Sequence, residues 1–157
     1  MTGQGGPPVT LPKTTINYLY SKASLYVKLP VNSVETDLLA DTGAEISLLP
    51  DSHPAVPANA SLKPCKLQPV TADGKPLPVL GIISLLVLIN AVTIEVDFYV
   101  GSSDIKPILG LDVMSRFQEV HFDFKSRLVR FGAPFYLFNI YLWSHSPTWL
   151  VVTFYSI

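Results

Sequence analysis

The sequence predicts an all-β domain, and three observations predict it. Apolar and polar residues alternate at strand spacing, with Leu25, Val27 and Leu29 flanking Tyr26 and Lys28, and Val92, Ile94, Val96, Phe98 and Val100 repeating every second position. Turn formers, Asp73-Gly74 above all, separate extended arms at the spacing of hairpins. Prolines at 50, 54, 57 and 64 leave little room for a helix in the middle of the chain. With 157 residues, 48% of them hydrophobic and 15% charged, the chain fits one domain with an adequate core and is not disordered.

Taken in order, residues 1–17 are rich in Gly and Pro and read as a linker. They lack the basic and apolar regions of a secretory signal, so a cytoplasmic location is expected. From Tyr18 the pattern becomes β, and Val31-Asn32-Ser33-Val34 turns the chain into Glu35 to Ala40, a hairpin that delivers Asp41. Val70 to Val79 reads as a second hairpin around Asp73-Gly74. The continuous apolar run Ile82 to Ile89 and the alternating run Val92 to Val100 are two core strands joined at Asn90-Ala91. Asp112 is expected to cap a short helix through Phe117, and Val120 to Phe124 turns through Lys125-Ser126-Arg127 into Leu128 to Phe131. The β pattern closes there, giving a domain over 18–132 and an apolar tail over 133–157 without Asp, Glu, Lys or Arg. A membrane anchor needs about 20 mostly apolar residues; this tail is broken by Pro147 and several hydroxyls. It reads as an appended segment of unassigned role, dispensable for the fold.

Several functions are excluded on composition. A formal net charge of -1 provides no basic surface for nucleic acid. Cys65 is the only cysteine, so no intrachain disulfide or zinc knuckle can form, and His53, His121 and His145 lack metal-ligand spacing. No metal or other cofactor is expected. Neither Ser47 nor Ser52 lies in a Gly-x-Ser-x-Gly elbow that would make a hydrolase pair with His53.

The chemistry-bearing stretch is Leu38-Leu39-Ala40-Asp41-Thr42-Gly43-Ala44-Glu45-Ile46-Ser47-Leu48-Leu49-Pro50, in which one carboxylate interrupts two apolar runs. An aspartate buried there must be hydrogen-bonded or partly protonated, and Gly43 allows the tight turn that brings backbone N–H groups to it. This stretch resembles the active-site loop of retropepsins, the aspartic proteases of retroviruses and retrotransposons. Pro107-Ile108-Leu109-Gly110-Leu111-Asp112-Val113-Met114 resembles the apolar-apolar-Gly segment and short helix that close the same domain. The likeness runs from about Tyr18 to Gly132 and is closest to the Ty3/gypsy-type retrotransposon proteases.

The resemblance implies a closed, barrel-like β domain with one short helix near its C-terminal end, working as a two-fold homodimer on peptide or polyprotein substrates. It assigns catalysis to Asp41, the active-site loop to Thr42, Gly43 and Ala44, and packing behind the site to Ile108, Leu109 and Gly110. The hairpin becomes the flap, with Val70, Thr71, Asp73, Gly74, Lys75 and Leu77 near the substrate. The chain holds one Asp-Thr-Gly and no second copy, so a site with two carboxylates needs two chains. Leu111 departs from the retroviral pattern, which places there an arginine that pairs with the acid at Glu45. The alternative to an enzyme is a catalytically idle binding module of the same fold, or a transposon remnant.

Overall fold

The computed structural model describes residues 24–135 and the strand at 150–153. The first hairpin pairs β1 (Tyr26–Val31) with β2 (Val34–Ala40) in register from Tyr26↔Leu39 to Val31↔Val34. Its two-residue turn puts Asn32 at φ 48° and Ser33 at φ 63°, the doubly left-handed geometry that matches the twist of the flanking strands. Val27, Leu29, Val31 and Leu38 point into the core, and the buried Thr36 hydroxyl donates to the Val34 carbonyl at 2.9 Å.

β3 (Leu48–Pro50), β4 (Val79–Ile89), β5 (Val92–Gly101) and β6 (Ile108–Leu109) complete a closed barrel of order β1-β2-β6-β3-β5-β4. The closure is at Val31↔Val87. A second two-residue turn, Asn90 at φ 52° and Ala91 at φ 59°, joins β4 to β5. The apolar run of β4 is buried on one face only. Leu85, Val87 and Ile89 are core residues, whereas Leu86 and Leu88 are exposed, because a barrel wall of one layer has an outer side, which none of the described residues covers at these positions.

A short helix, α1 (Leu111–Met114), follows β6. Its N-cap is Gly110, and Asp112 lies inside the first turn instead of capping it. The helix is also shorter than the sequence suggests. Arg116 and Phe117 donate to carbonyls three residues back, at Val113 and Met114, so the chain reaches Phe117 in tightened turns.

A smaller sheet of order β7-β8-β9 packs against the barrel, with β7 (Val120–Asp123) and β8 (Leu128–Phe131) joined by a four-residue turn. In that turn the Asp123 carboxylate accepts the Lys125 and Ser126 N–H groups. Phe117 and Phe131 meet edge to face at 5.0 Å, and Asn90 Nδ2 donates to the Phe131 carbonyl at 2.6 Å, tying sheet to barrel. The third strand, β9 (Leu150–Thr153), pairs antiparallel with β8 from Phe131↔Leu150 to Leu128↔Thr153. The tail therefore adds a strand beyond the point where the sequence pattern closes. The free edge of β8 is a template for any strand-forming segment, and Leu150-Val151-Val152-Thr153 is one. The rest of the tail and the linker expected over 1–17 lie outside the described residues. Among the described residues no helix is long and apolar enough to cross a membrane.

Candidate active site

The topology makes the site. β6 lies between β2, to which it is parallel, and β3, to which it is antiparallel. The chain leaving β2 must therefore pass over the end of β6 to reach β3, and the segment that makes this passage is Asp41 to Ser47. Leu39↔Ile108 and Ala40↔Leu109 bring the two motifs side by side. The Asp41 N–H then donates to the Leu109 carbonyl at 3.1 Å, which fixes the backbone of the acid.

Beyond that anchor the loop turns tightly, with Ala44 N–H donating to the Asp41 carbonyl at 3.2 Å. Gly43 N–H donates to Asp41 Oδ1 at 2.8 Å, so one carboxylate oxygen is held by the loop. A Cβ on Gly43 would lie 3.2 Å from that oxygen, tighter than an ordinary contact. Asp41 is half-buried, and Thr42 and Gly43 are exposed. The burial expected for Asp41 is thus incomplete in the single chain, because the turn at 41–44 extends past the ends of the barrel strands and Asp41 keeps one face toward solvent.

The underside of the loop rests on the segment that follows β6. Leu111 N–H donates to the Ala44 carbonyl at 2.8 Å and Asp112 N–H to the Glu45 carbonyl at 3.2 Å. A Cβ at Gly110 would lie 2.5 Å from the Ile46 carbonyl oxygen and 2.9 Å from that of Ala44, an approach only glycine allows. Leu109 is fully buried and Ile108 partly so. Leu111 is exposed, and among the described residues Glu45 makes no ion pair.

Sequence reasoning missed one pair at this junction. Ser47 is fully buried; its Oγ donates to Asp112 Oδ1 at 2.7 Å and its N–H to Asp112 Oδ2 at 3.1 Å. The same Oγ accepts the Gly110 N–H at 3.0 Å. The signal was present in the chain. A serine inside the apolar run Ile46 to Pro50 needs a partner when buried, and Asp112 was the acid available next to Gly110.

The hairpin at Val70 to Leu77 forms as a separate, exposed element, bridged at Val70↔Pro76. Its loop has three residues, not two: Thr71 N–H donates to the Lys75 carbonyl and Gly74 N–H to the Thr71 carbonyl, both at 2.8 Å. Gly74 takes φ 80° whereas Asp73 has no positive φ, the pattern of a turn followed by a left-handed residue. Thr71 Oγ1 donates to Asp73, and Lys75 Nζ lies 2.9 Å from the other oxygen of that carboxylate. The Thr71 hydroxyl and then Lys75 pull the Asp73 carboxyl down to about 2. Leu77 N–H donates to the Pro69 carbonyl at the base of the hairpin. Among the described residues no hydrogen bond links this hairpin to the Asp41 loop. No group of three or more His, Cys, Asp or Glu able to hold a metal occurs among them either.

No family model and no curated protein matches the sequence. Solved structures do match. The retroviral protease-like domain of Ddi1 from Leishmania major superposes with a TM-score of 0.53 at 19% identity, over 85% of this chain and 95% of that one. A retropepsin-like aspartic protease from Rickettsia conorii matches at TM-score 0.48 and 24% identity, over 64% of this chain and 76% of that one. EIAV protease in complex with an inhibitor matches at TM-score 0.49 and 18% identity, over 59% and 86%. At these identities the likeness establishes the fold: the chain folds like the retropepsin-like proteases.

Proposed function

We propose that the chain is an aspartic endopeptidase that works as a homodimer, each copy contributing Asp41 to one shared site, on a polyprotein of the Ty3/gypsy retrotransposon type. The observation that carries the proposal is the Asp41-Thr42-Gly43 turn itself. One carboxylate is held by the Gly43 N–H at 2.8 Å, anchored through Leu109 and left open to solvent at the tip, in a fold of the retropepsin-like kind.

Peptide hydrolysis by water needs a base for the water and an acid for the amide. Two carboxylates about 3 Å apart cannot both ionise readily, so the pair shares one proton and titrates as a unit. The ionised Asp41 takes a proton from water as the water oxygen bonds the scissile carbonyl carbon, and the protonated Asp41 gives its proton to the carbonyl oxygen, which becomes the second hydroxyl of a tetrahedral intermediate. Collapse of that intermediate breaks the C–N bond, with a proton passing to the leaving nitrogen, and yields a carboxylic acid and an amine. In this reading Thr42 hydrogen-bonds across the two-fold axis beneath the carboxylates. Gly43 and Ala44 line the floor that holds substrate backbone, and the hairpin carrying Val70, Thr71, Asp73, Gly74, Lys75 and Leu77 closes over the peptide.

Mixing wild type with an equal amount of Asp41→Asn tests the shared site. With free exchange and equal pairing, about a quarter of the dimers are fully wild type, so turnover of a peptide library falls to about that fraction per total dimer. The control is wild type diluted by buffer to the wild-type concentration of the mixture; a shared site leaves the mixture about half of that control's activity, and an unshared site leaves all of it. Full retention of activity under confirmed exchange refutes the shared site; cleavage by pure Asp41→Asn refutes the catalytic role of Asp41. A folded wild type that binds library peptides without cutting them would support the idle binding module instead.

A further inference from the structure

The Ser47–Asp112 pair has no role in the chemistry described above, yet it is the most densely hydrogen-bonded junction near Asp41. The Asp112 carboxylate accepts three hydrogen bonds, from Ser47 Oγ at 2.7 Å, Ser47 N–H at 3.1 Å and Val113 N–H at 3.0 Å. Ser47 Oγ in turn accepts from Gly110 N–H at 3.0 Å, so hydroxyl, carboxylate and backbone form one closed unit. Arg116 Nε donates to the Asp112 backbone carbonyl at 3.1 Å, holding the same residue from the other side.

The location of this unit gives it a use. The loop over β6 is fixed at its start by Asp41 N–H on the Leu109 carbonyl and along its underside by Leu111 N–H on Ala44 and Asp112 N–H on Glu45, and the Ser47 side chain adds a side-chain contact at its far end before β3 begins. Ser47 is that far end. Its carbonyl accepts the Tyr99 N–H at 2.9 Å and passes directly into the β3–β5 ladder. Asp112 thus binds the end of the loop to the segment that carries Leu109, and with it the start. The span from Asp41 to Ser47 is clamped at both ends on one short stretch of chain, 109–112.

We propose that Ser47 and Asp112 are positioning residues that set the height and tilt of the Asp41 carboxylate through this clamp. The proposal rests on the protease reading for its kinetic readout, but not for its structural one. A carboxylate pair sharing a proton is sensitive to spacing, and displacement of a reacting group by about 1 Å can cost about a hundredfold in rate. A pair that served only folding would change stability and leave the titration of Asp41 where it was.

The test uses the full chain with two substitutions. Ser47→Ala removes the hydroxyl and strands the buried Gly110 N–H. Asp112→Asn keeps the size of a partly exposed residue, so it folds even if Ser47→Ala does not. The carbon-13 resonance of the Asp41 carboxyl, followed against pH, is expected to shift its titration midpoint in each folded variant, and kcat is expected to fall about tenfold or more with KM little changed. An Asp41 titration and a kcat both equal to wild type in folded Asp112→Asn overturn the proposal. A wild type without turnover defeats the protease reading alone; the Asp41 titration then decides on the clamp, a shift supporting it and an unchanged curve refuting it.

Discussion

Replacing Gly110 by alanine tests whether backbone contact between the two motifs holds the Asp41 loop in place. The added Cβ would meet the Ile46 carbonyl oxygen at 2.5 Å, the Ile46 carbonyl carbon at 2.7 Å and the Ala44 carbonyl oxygen at 2.9 Å, where ordinary contact begins at 3.4 Å. The closest of these must open by 3.4 minus 2.5, or 0.9 Å. All three are backbone atoms, so no side chain can swing aside, and the loop must lift from the segment after β6. Overpacking of this kind costs about 1–3 kcal/mol, and the lift also stretches the Leu111 N–H bond to Ala44 and the Gly110 N–H bond to Ser47. At about 3 °C per kcal/mol for a domain of this size, Tm should fall by roughly 3 to 9 °C. Turnover should fall by about a hundredfold, because the displaced segment carries Asp41. Thermal unfolding by circular dichroism and peptide cleavage below the new Tm measure the two effects. Gly132→Ala is the milder comparison, since its Cβ would meet Glu119 Cγ at 3.0 Å and the Glu119 carbonyl oxygen at 3.3 Å, both looser than the contacts at Gly110. A Gly110→Ala protein with the wild-type Tm and turnover would refute the contact argument.

Three other outcomes are expected. Gly74→Val has open space around it but must keep φ 80°, a strain of about 1 kcal/mol or more; KM should rise or kcat fall while Tm stays near wild type, and unchanged turnover in a folded protein would remove the hairpin from the mechanism. The Asp73 carboxyl is lowered to about 2 from 3.8, so its contact in the hairpin is complete above the unfolded value and lost as pH falls through the folded one; Thr71→Val should move its carbon-13 titration upward, and an identical curve would show that the Thr71 hydroxyl is not the main cause. Ending the chain at Ala133 removes β9 from the edge of β8, so amide exchange over Leu128 to Phe131 should quicken and Tm should drop; protection equal to the full chain would mean that the ladder adds nothing.

The barrel was legible because its signals are local. Alternation at period two marked β1 and β5, and Asn32-Ser33 and Asn90-Ala91 marked two turns, whose backbone the structure shows to be left-handed. What the sequence hid was what depends on neighbours distant along the chain. The run Ile82 to Ile89 reads as a continuous apolar core strand, and only the barrel shows that Leu86 and Leu88 look outward. Asp112 has the look of a helix cap in sequence, yet its carboxylate turns to a serine 65 positions earlier. β9 could not be read because its partner, the free edge of β8, is a property of the sheet and not of the tail.

The exposure of the loop tip bears on the proposed mechanism in a way that no single residue does. Hydrolysis of this kind needs an acid and a base side by side, and a lone carboxylate facing water has no second group opposite it. In the single chain Asp41 keeps one face toward solvent, and Thr42 and Gly43 are exposed beside it. The loop is nevertheless hydrogen-bonded from below by Leu109, Leu111 and Asp112. Rigidity under an exposed acid has little value for stability, since surface substitutions usually change it by no more than about 0.5 kcal/mol. It has value if the missing partner is another rigid loop, because two carboxylates can share a proton only when neither can retreat from the other. Under the proposed homodimer, a stiff half-site would give the second Asp41 a fixed target, so the clamp and the shared site would be two requirements of the same chemistry.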